Sequence, residues 1–135
     1  MPEHRIRFRG GWESSVADGD HGGASRLILP VVWPPGIVGP IRLTRRFGRP
    51  PIDPTVESVW LELSGVPGLQ SLRINGVELG MPRAGVIDWT VRLESLEARN
   101  TLTLAVDLGQ VLAEERLGGW GSIALLITPK RQEGD

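Results

Sequence analysis

Apolar and polar residues alternate with a period of two through much of this chain. Val59, Leu61 and Leu63 alternate with Trp60, Glu62 and Ser64, the mark of a strand with one buried face. Gly65-Val66-Pro67-Gly68 interrupts the run. Pro67 presets its own φ, and Gly68 can take the positive φ that a type II turn needs. Leu72-Arg73-Ile74 resumes the extended pattern, and Asn75-Gly76 predicts a two-residue type I′ hairpin. That loop length sets Ile74 opposite Val77, Arg73 opposite Glu78 and Leu72 opposite Leu79. The outer pairs are apolar and share one face; the middle pair is oppositely charged and lies on the other, so turn chemistry and side-chain pattern agree.

The same reading extends along the chain. Arg5 to Arg9 alternates Ile6 and Phe8 with arginines and predicts a half-exposed strand that ends at Gly10-Gly11-Trp12. Residues 13–24 are polar and glycine-rich and predict a surface loop. Leu27 to Val32 is a continuous apolar run, which predicts a strand buried on both faces. Ile41, Leu43 and Phe47 share one parity, and Arg45 falls on it too, so Arg45 needs a partner or a place at a strand end. Ile87, Trp89, Val91 and Leu93 predict another strand. Leu93 to Ala98 is expected to form a short helical turn, with Asn100 at a bend. Leu102, Leu104, Val106 and Leu108 give the clearest alternation. Residues 110–117 fit a short helix or a loop, and Ile123, Leu125 and Ile127 carry the last strand. Short strands separated by Gly and Pro at this spacing predict an all-β fold, a two-sheet antiparallel jelly-roll β-sandwich.

Composition narrows the picture. The 135 residues fit a single domain spanning 1–135, with 1–3 and 129–135 expected to fray. The formal net charge of −1 gives no pull toward nucleic acid or membrane. Arg42, Arg45, Arg46 and Arg49 cluster locally and read as an exposed sheet face. With no cysteine, disulfides and cysteine-ligated zinc are excluded. No signal peptide or membrane-spanning run is seen, so a cytoplasmic location is the default expectation.

The order of motifs resembles the galactose-binding-like jelly-roll domain, and within it the N-terminal sugar-binding domain of family 2 glycoside hydrolases. The matching pieces are Leu29-Pro30 followed by Trp33, then Arg45-Arg46-Phe47 with Pro50, then Val59-Trp60-Leu61-Glu62-Leu63. Ile74-Asn75-Gly76 ending at Leu79-Gly80, Asp88-Trp89-Thr90 with Leu93, Asn100-Thr101-Leu102 and Gly121 to Ile127 complete them. Trp89 stands where the family has an aliphatic residue, and the spacer from Leu93 to Asn100 is longer than the family's. The resemblance implies a non-catalytic sugar-related module. In those enzymes the catalytic carboxylates lie in a barrel that this sequence does not contain, so no catalytic residue carries over.

Tryptophan faces stack on sugar rings, which makes the five tryptophans the first candidates. Trp89 shares the core parity. Trp12, Trp33 and Trp120 sit at strand–loop junctions, where ligands of sandwich folds bind or where an indole plugs a loop. Trp60 lies opposite the Val59/Leu61/Leu63 face, either on an outer sheet surface or under a crossing loop. The candidate ligand residues are therefore Trp12, Trp33, Trp120, Trp60 and Arg45. No cofactor is called for; Asp18 and Asp20 are weak candidates for a structural calcium, against the simpler reading of a solvated turn. Ser14 or Ser15 with His21 and Asp18 form a triad on paper only, without a nucleophile elbow. Glu114-Glu115 read as a solvated edge. The expected function is a non-catalytic carbohydrate-binding module; the alternative is a protein-interaction or structural accessory domain, with homo-oligomerisation left open and no small ligand.

Overall fold

The computed structural model describes residues 3–16, 25–33, 39–80, 88–111 and 118–130. Within them the chain forms two antiparallel sheets. The strands are β1 (His4–Arg7), β2 (Trp12–Val16), β3 (Ser25–Leu27), β4 (Pro40–Gly48) and β5 (Glu57–Ser64). They continue as β6 (Leu69–Ile74), β7 (Val77–Gly80), β8 (Trp89–Leu93), β9 (Arg99–Asp107) and β10 (Ser122–Pro129), with one 3-10 turn at Leu108–Gln110. One sheet has the order β1-β10-β5-β8 and the other β3-β2-β4-β9-β6-β7. The expected all-β sandwich is what forms. Among the described residues no helix is long and apolar enough to cross a membrane.

The alternation does the layering. Val59, Leu61 and Leu63 of β5 and Ile123, Leu125 and Ile127 of β10 face inward and are buried. They meet Leu43 and Phe47 of β4, and Leu102, Leu104 and Val106 of β9, in one continuous core. Because side chains alternate across a strand, Trp60, Glu62, Ala124 and Leu126 point to the opposite, outer face of the four-stranded sheet.

The turn chemistry holds. Leu69 N donates to Val66 O at 3.2 Å across Pro67 and Gly68, and Gly68 has φ +84°. This turn carries the chain from the four-stranded sheet to the six-stranded one. Asn75 and Gly76 have φ of 54° and 82°, both positive as a type I′ turn requires. Ile74 pairs with Val77 and Arg73 with Glu78 as expected, but a bulge follows and Leu72 pairs with Gly80 instead of Leu79. Gly80, at φ +134°, supplies the backbone freedom that such a shift needs. Val77 is 64% exposed on β7, the edge strand of the six-stranded sheet.

Several local expectations fail for physical reasons. Residues 13–16 are not loop: they form β2, in which Glu13 pairs with Arg26 and Thr44, since ladder hydrogen bonds do not require apolar side chains. Leu27 to Val32 is not a doubly buried strand. Leu29 is buried, whereas Ile28 and Val32 are 68% and 59% exposed, and Val31 makes a single bridge to Trp120. No helical turn forms at 94–98. Asn100 lies inside β9 and is buried, its side chain replacing the missing local bonds: Oδ1 accepts from Glu97 N at 2.8 Å and Nδ2 donates to Glu97 O at 2.9 Å. Pro129 and Lys130 are not frayed. Pro129 pairs with Glu57 and Lys130 N donates to Val56 O.

Candidate functional site

Three of the four candidate tryptophans are built into the protein's interior. Trp12 is fully buried and its Nε1 donates to Phe8 O at 2.8 Å. Trp120 is 1% exposed and donates from Nε1 to Pro67 O at 2.8 Å. Trp33 packs edge-on against Trp120, ring centroids 5.8 Å apart at 62°, and its buried Nε1 has no partner among the described residues. These indoles are plugs beneath connectors and present no open face for stacking. Sequence alone places them at strand–loop junctions; burial by a returning segment is a tertiary fact. Trp89 is half-buried and packs against the core, as its parity implies.

Arg45 also turns inward. Nε donates to Gly10 O at 2.8 Å and Nη1 to Arg46 O at 2.7 Å. Its guanidinium lies 4.4 Å from the centre of the Phe8 ring, a cation–π contact. Burial lowers its pKa, and no carboxylate pairs with it among the described residues. The partner that the parity argument demanded is thus backbone carbonyl and aromatic face, on the six-stranded sheet, away from Trp60. Asp18, Asp20 and His21 lie outside the described residues, as do Glu114 and Glu115. Among the described residues no group of three or more His, Asp or Glu could hold a metal.

Trp60 has a different setting. It is half-buried on the outer face, and the ladder puts Leu126 on one side of it and Arg92 on the other. Its Nε1 donates to Thr128 Oγ1 at 3.2 Å, which fixes the indole on the sheet. Arg5 is across Leu126 from it, giving a cross-strand row Arg5–Leu126–Trp60–Arg92. The next row is Arg7–Ala124–Glu62–Thr90. Arg5 Nε meets Glu62 Oε1 at 2.7 Å, and this hydrogen bond, with the carboxylate's charge, raises the Arg5 pKa.

An open depression of about 690 Å³ lies over this face, lined by Trp60, Leu126, Thr90, Arg92 and Thr128 among others. A second, of about 450 Å³, adjoins it at Thr90 and includes Arg5, Glu62 and Asp88. The arrangement is a fixed aromatic surface ringed by hydroxyl, guanidinium and carboxylate groups. Thr90, Arg92 and Thr128 are the residues that sequence reasoning missed. Their outward parity was readable, but their position beside Trp60 comes from pairing between distant strands.

No protein-family model and no curated protein sequence matches this chain. Solved structures do. An FMN-binding beta-glucuronidase from Facaelibacterium prausnitzii L2-6 matches with a TM-score of 0.74 at 18% identity, over 94% of this chain and 23% of its own. A beta-glucuronidase from an uncultured Clostridium sp. matches at 0.72 and 16%, over 95% and 29%. A beta-D-mannosidase from Dictyoglomus thermophilum matches at 0.66 and 14%, over 96% and 23%. The likeness is one of fold. The chain spans about a quarter of the length of these solved structures.

Proposed function

We propose that this chain is a non-catalytic carbohydrate-recognition module whose ligand lies on the outer face of the four-stranded sheet. The observation that carries this reading is the setting of Trp60: a half-buried indole, pinned by Thr128, flanked by Leu126 and Arg92 and set in an open depression. A pyranose ring offers an apolar C–H face and a rim of hydroxyls. The indole takes the first, and Thr90, Arg92 and the Arg5–Glu62 pair take the second. A ligand hydroxyl can donate to Glu62 and accept from Arg5 or Arg92, so both halves of its hydrogen-bonding capacity are met. The fold likeness supports an accessory role, since the chain corresponds to about a quarter of each neighbouring glycosidase.

The test is a glycan-array screen followed by titration of intrinsic tryptophan fluorescence. The expected result is a saturable change that Trp60→Ala removes. Stacking of this kind is worth about 0.5–1.5 kcal/mol, up to roughly tenfold in affinity. Absence of binding across all sugar classes overturns the reading.

A second reading is a protein-interaction or structural accessory domain. It is favoured by Ile28 and Val32, two large apolar side chains 68% and 59% exposed on one short stretch. That reading predicts no glycan response, and light scattering across a concentration series tests whether the partner is a second copy of the chain.

A further inference from the structure

The depression at Trp60 does not stop at the edge of the sheet. Ser58, Arg92 and Lys130 line both it and a cleft of about 610 Å³ at the sandwich end. The floor of that cleft is apolar, formed by Ile52, Val59, Leu93 and Leu96, and Arg49, Glu57 and Glu94 contribute polar groups to its lining.

Both walls are fixed. One is the connector from β4 to β5, where Pro50, Pro51 and Pro54 restrict the backbone. Asp53 Oδ1 accepts from Thr55 N and Thr55 Oγ1 at 3.0 and 2.6 Å, and Asp53 N donates to Glu57 Oε1 at 2.9 Å. Lys130 Nζ donates to Pro54 O. The other wall is the connector from β8 to β9, held by Asn100. Arg49 N donates to Ala98 O at 3.1 Å and joins the two. Walls already ordered lose little conformational freedom when a ligand enters.

Arg92 stands where the surfaces meet. It is exposed, it is paired across the ladder with Trp60, and it lines both the depression and the cleft. Among the described residues it makes no hydrogen bond or ion pair. Its donors are therefore free on the path from one surface to the other.

We propose that the ligand of the Trp60 face is a linear oligosaccharide that runs along the sheet, crosses Arg92 and ends in the cleft between the two connectors. This rests on the reading of Trp60 as a sugar platform. One ring stacks on the indole and a following unit hydrogen-bonds to Arg92. A further unit sets its C–H face on the Ile52 and Leu96 floor, with hydroxyls reaching Arg49 and Glu94. Ser58, on the shared rim, is two residues along β5 from Trp60, roughly 7 Å at the rise of a β-strand, so a short sugar seated on the indole reaches the rim and only a longer chain extends onto the Ile52 and Leu96 floor beyond it. The path bends from the sheet face onto the sandwich end, which suits a narrow linear polymer.

The test is calorimetric titration of β-1,4-linked gluco-, manno-, xylo- and galacto-oligosaccharides, from disaccharide to hexasaccharide, into the full chain. The same ladders are run on Trp60→Ala and on the double variant Arg49→Ala/Glu94→Ala. In at least one ladder, wild-type affinity is expected to rise about tenfold with length, as one added charge-assisted hydrogen bond supplies. The double variant, altered only at exposed side chains without hydrogen bonds among the described residues, is expected to keep disaccharide affinity and lose the rise. A wild-type ladder that binds through Trp60 but stays flat overturns the extended path and leaves the platform reading intact. A rise that survives in the double variant also overturns it. If no member of any ladder binds wild type, platform and path fall together.

Discussion

Asn75 Nδ2 donates to Asn100 Oδ1 at 3.0 Å, and through this bond the hairpin turn between β6 and β7 holds the connector between β8 and β9. Asn75 also bonds to Thr101 in both directions: its Oδ1 accepts from Thr101 N at 2.8 Å, and its own N donates to Thr101 O at 2.9 Å. Asn100 is 2% exposed, and all its amide bonds go to Asn75 and to the backbone of Glu97. Glu97 and Ala98 precede the β9 ladder, and the Asn100 side chain, itself tied to Asn75, holds Glu97 in place ahead of it.

Replacing Asn100 by Ala therefore leaves the Glu97 N–H and C=O without these partners. Glu97 and Asn75 are exposed, so water can take the place of the lost partner, and the expected cost is about 0.5–1.5 kcal/mol per hydrogen bond removed, read as a lower urea midpoint at unchanged slope. Because this connector forms a wall of the sandwich-end cleft, the same variant is expected to lose the length dependence of oligosaccharide binding. A variant as stable as wild type would show that the connector is held by something else.

Turn chemistry was legible where it is local. Pro67-Gly68 and Asn75-Gly76 announce backbone angles that the residues themselves determine, and the structure has them. The core parity of Val59, Leu61 and Leu63 was legible for the same reason. What could not be read is which strand lies beside which. Trp60 adjoins Leu126 and Arg92 only because β5 pairs with β10 and β8, from both sides and over long sequence separations. The burial of Trp33 and Trp120 was hidden likewise: Trp33 packs on Trp120, and Trp120 bonds to Pro67, across long sequence separations, and nothing in their own neighbourhoods distinguishes a plug from a platform. Glu13 and Ser14 looked like loop because strand identity there comes from the ladders to β3 and β4, not from hydrophobicity.

The glycines separate into those that need space and those that need only an angle. A Cβ on Gly68 would sit 2.7 Å from Asp107 O and 2.9 Å from Val111 Cγ2, and the first of these is backbone that cannot step aside. Gly76 has a similar φ, +82°, with nothing within 4 Å. Gly68→Ala is expected to cost about 2–4 kcal/mol, from angle and overlap together, and Gly76→Ala about 1–2 kcal/mol from angle alone. Chemical denaturation of both variants checks the order. Equal costs would mean that the turn at Gly68 relaxes freely.

The buried indoles make another ordered series. Trp12→Phe and Trp120→Phe each remove a 2.8 Å hydrogen bond to a backbone carbonyl, whereas Trp33→Phe removes an N–H that has no partner among the described residues. The first two are expected to cost about 1 kcal/mol more than the third, the net worth of one hydrogen bond. Trp60→Phe, at the outer face, is expected to keep most of the stability while lowering glycan affinity. Thermal midpoints and fluorescence titration on the same four proteins read both properties. A Trp33→Phe variant as damaged as the other two would reveal an additional partner for that indole.

Stability should also vary with pH through Asp53. The side-chain hydroxyl of Thr55, then its backbone N–H, and the charge of Lys130 favour the ionised carboxylate and lower its pKa. A carboxylate whose folded pKa is depressed adds stability that is present above its unfolded pKa, near about 4, and is lost as pH falls through the lower folded value. The wild-type denaturation midpoint is therefore expected to fall on acidification below about pH 4 more steeply than that of Asp53→Asn, which carries no charge to lose. Subtracting the two profiles isolates this group from the other carboxylates. The gap should shrink in high salt only as far as Lys130 contributes, since the Thr55 hydrogen bonds are not screened. Parallel profiles at all pH values would show that the hydroxyl and amide of Thr55 do not hold the Asp53 charge, and with it one wall of the sandwich-end cleft would lose its anchor.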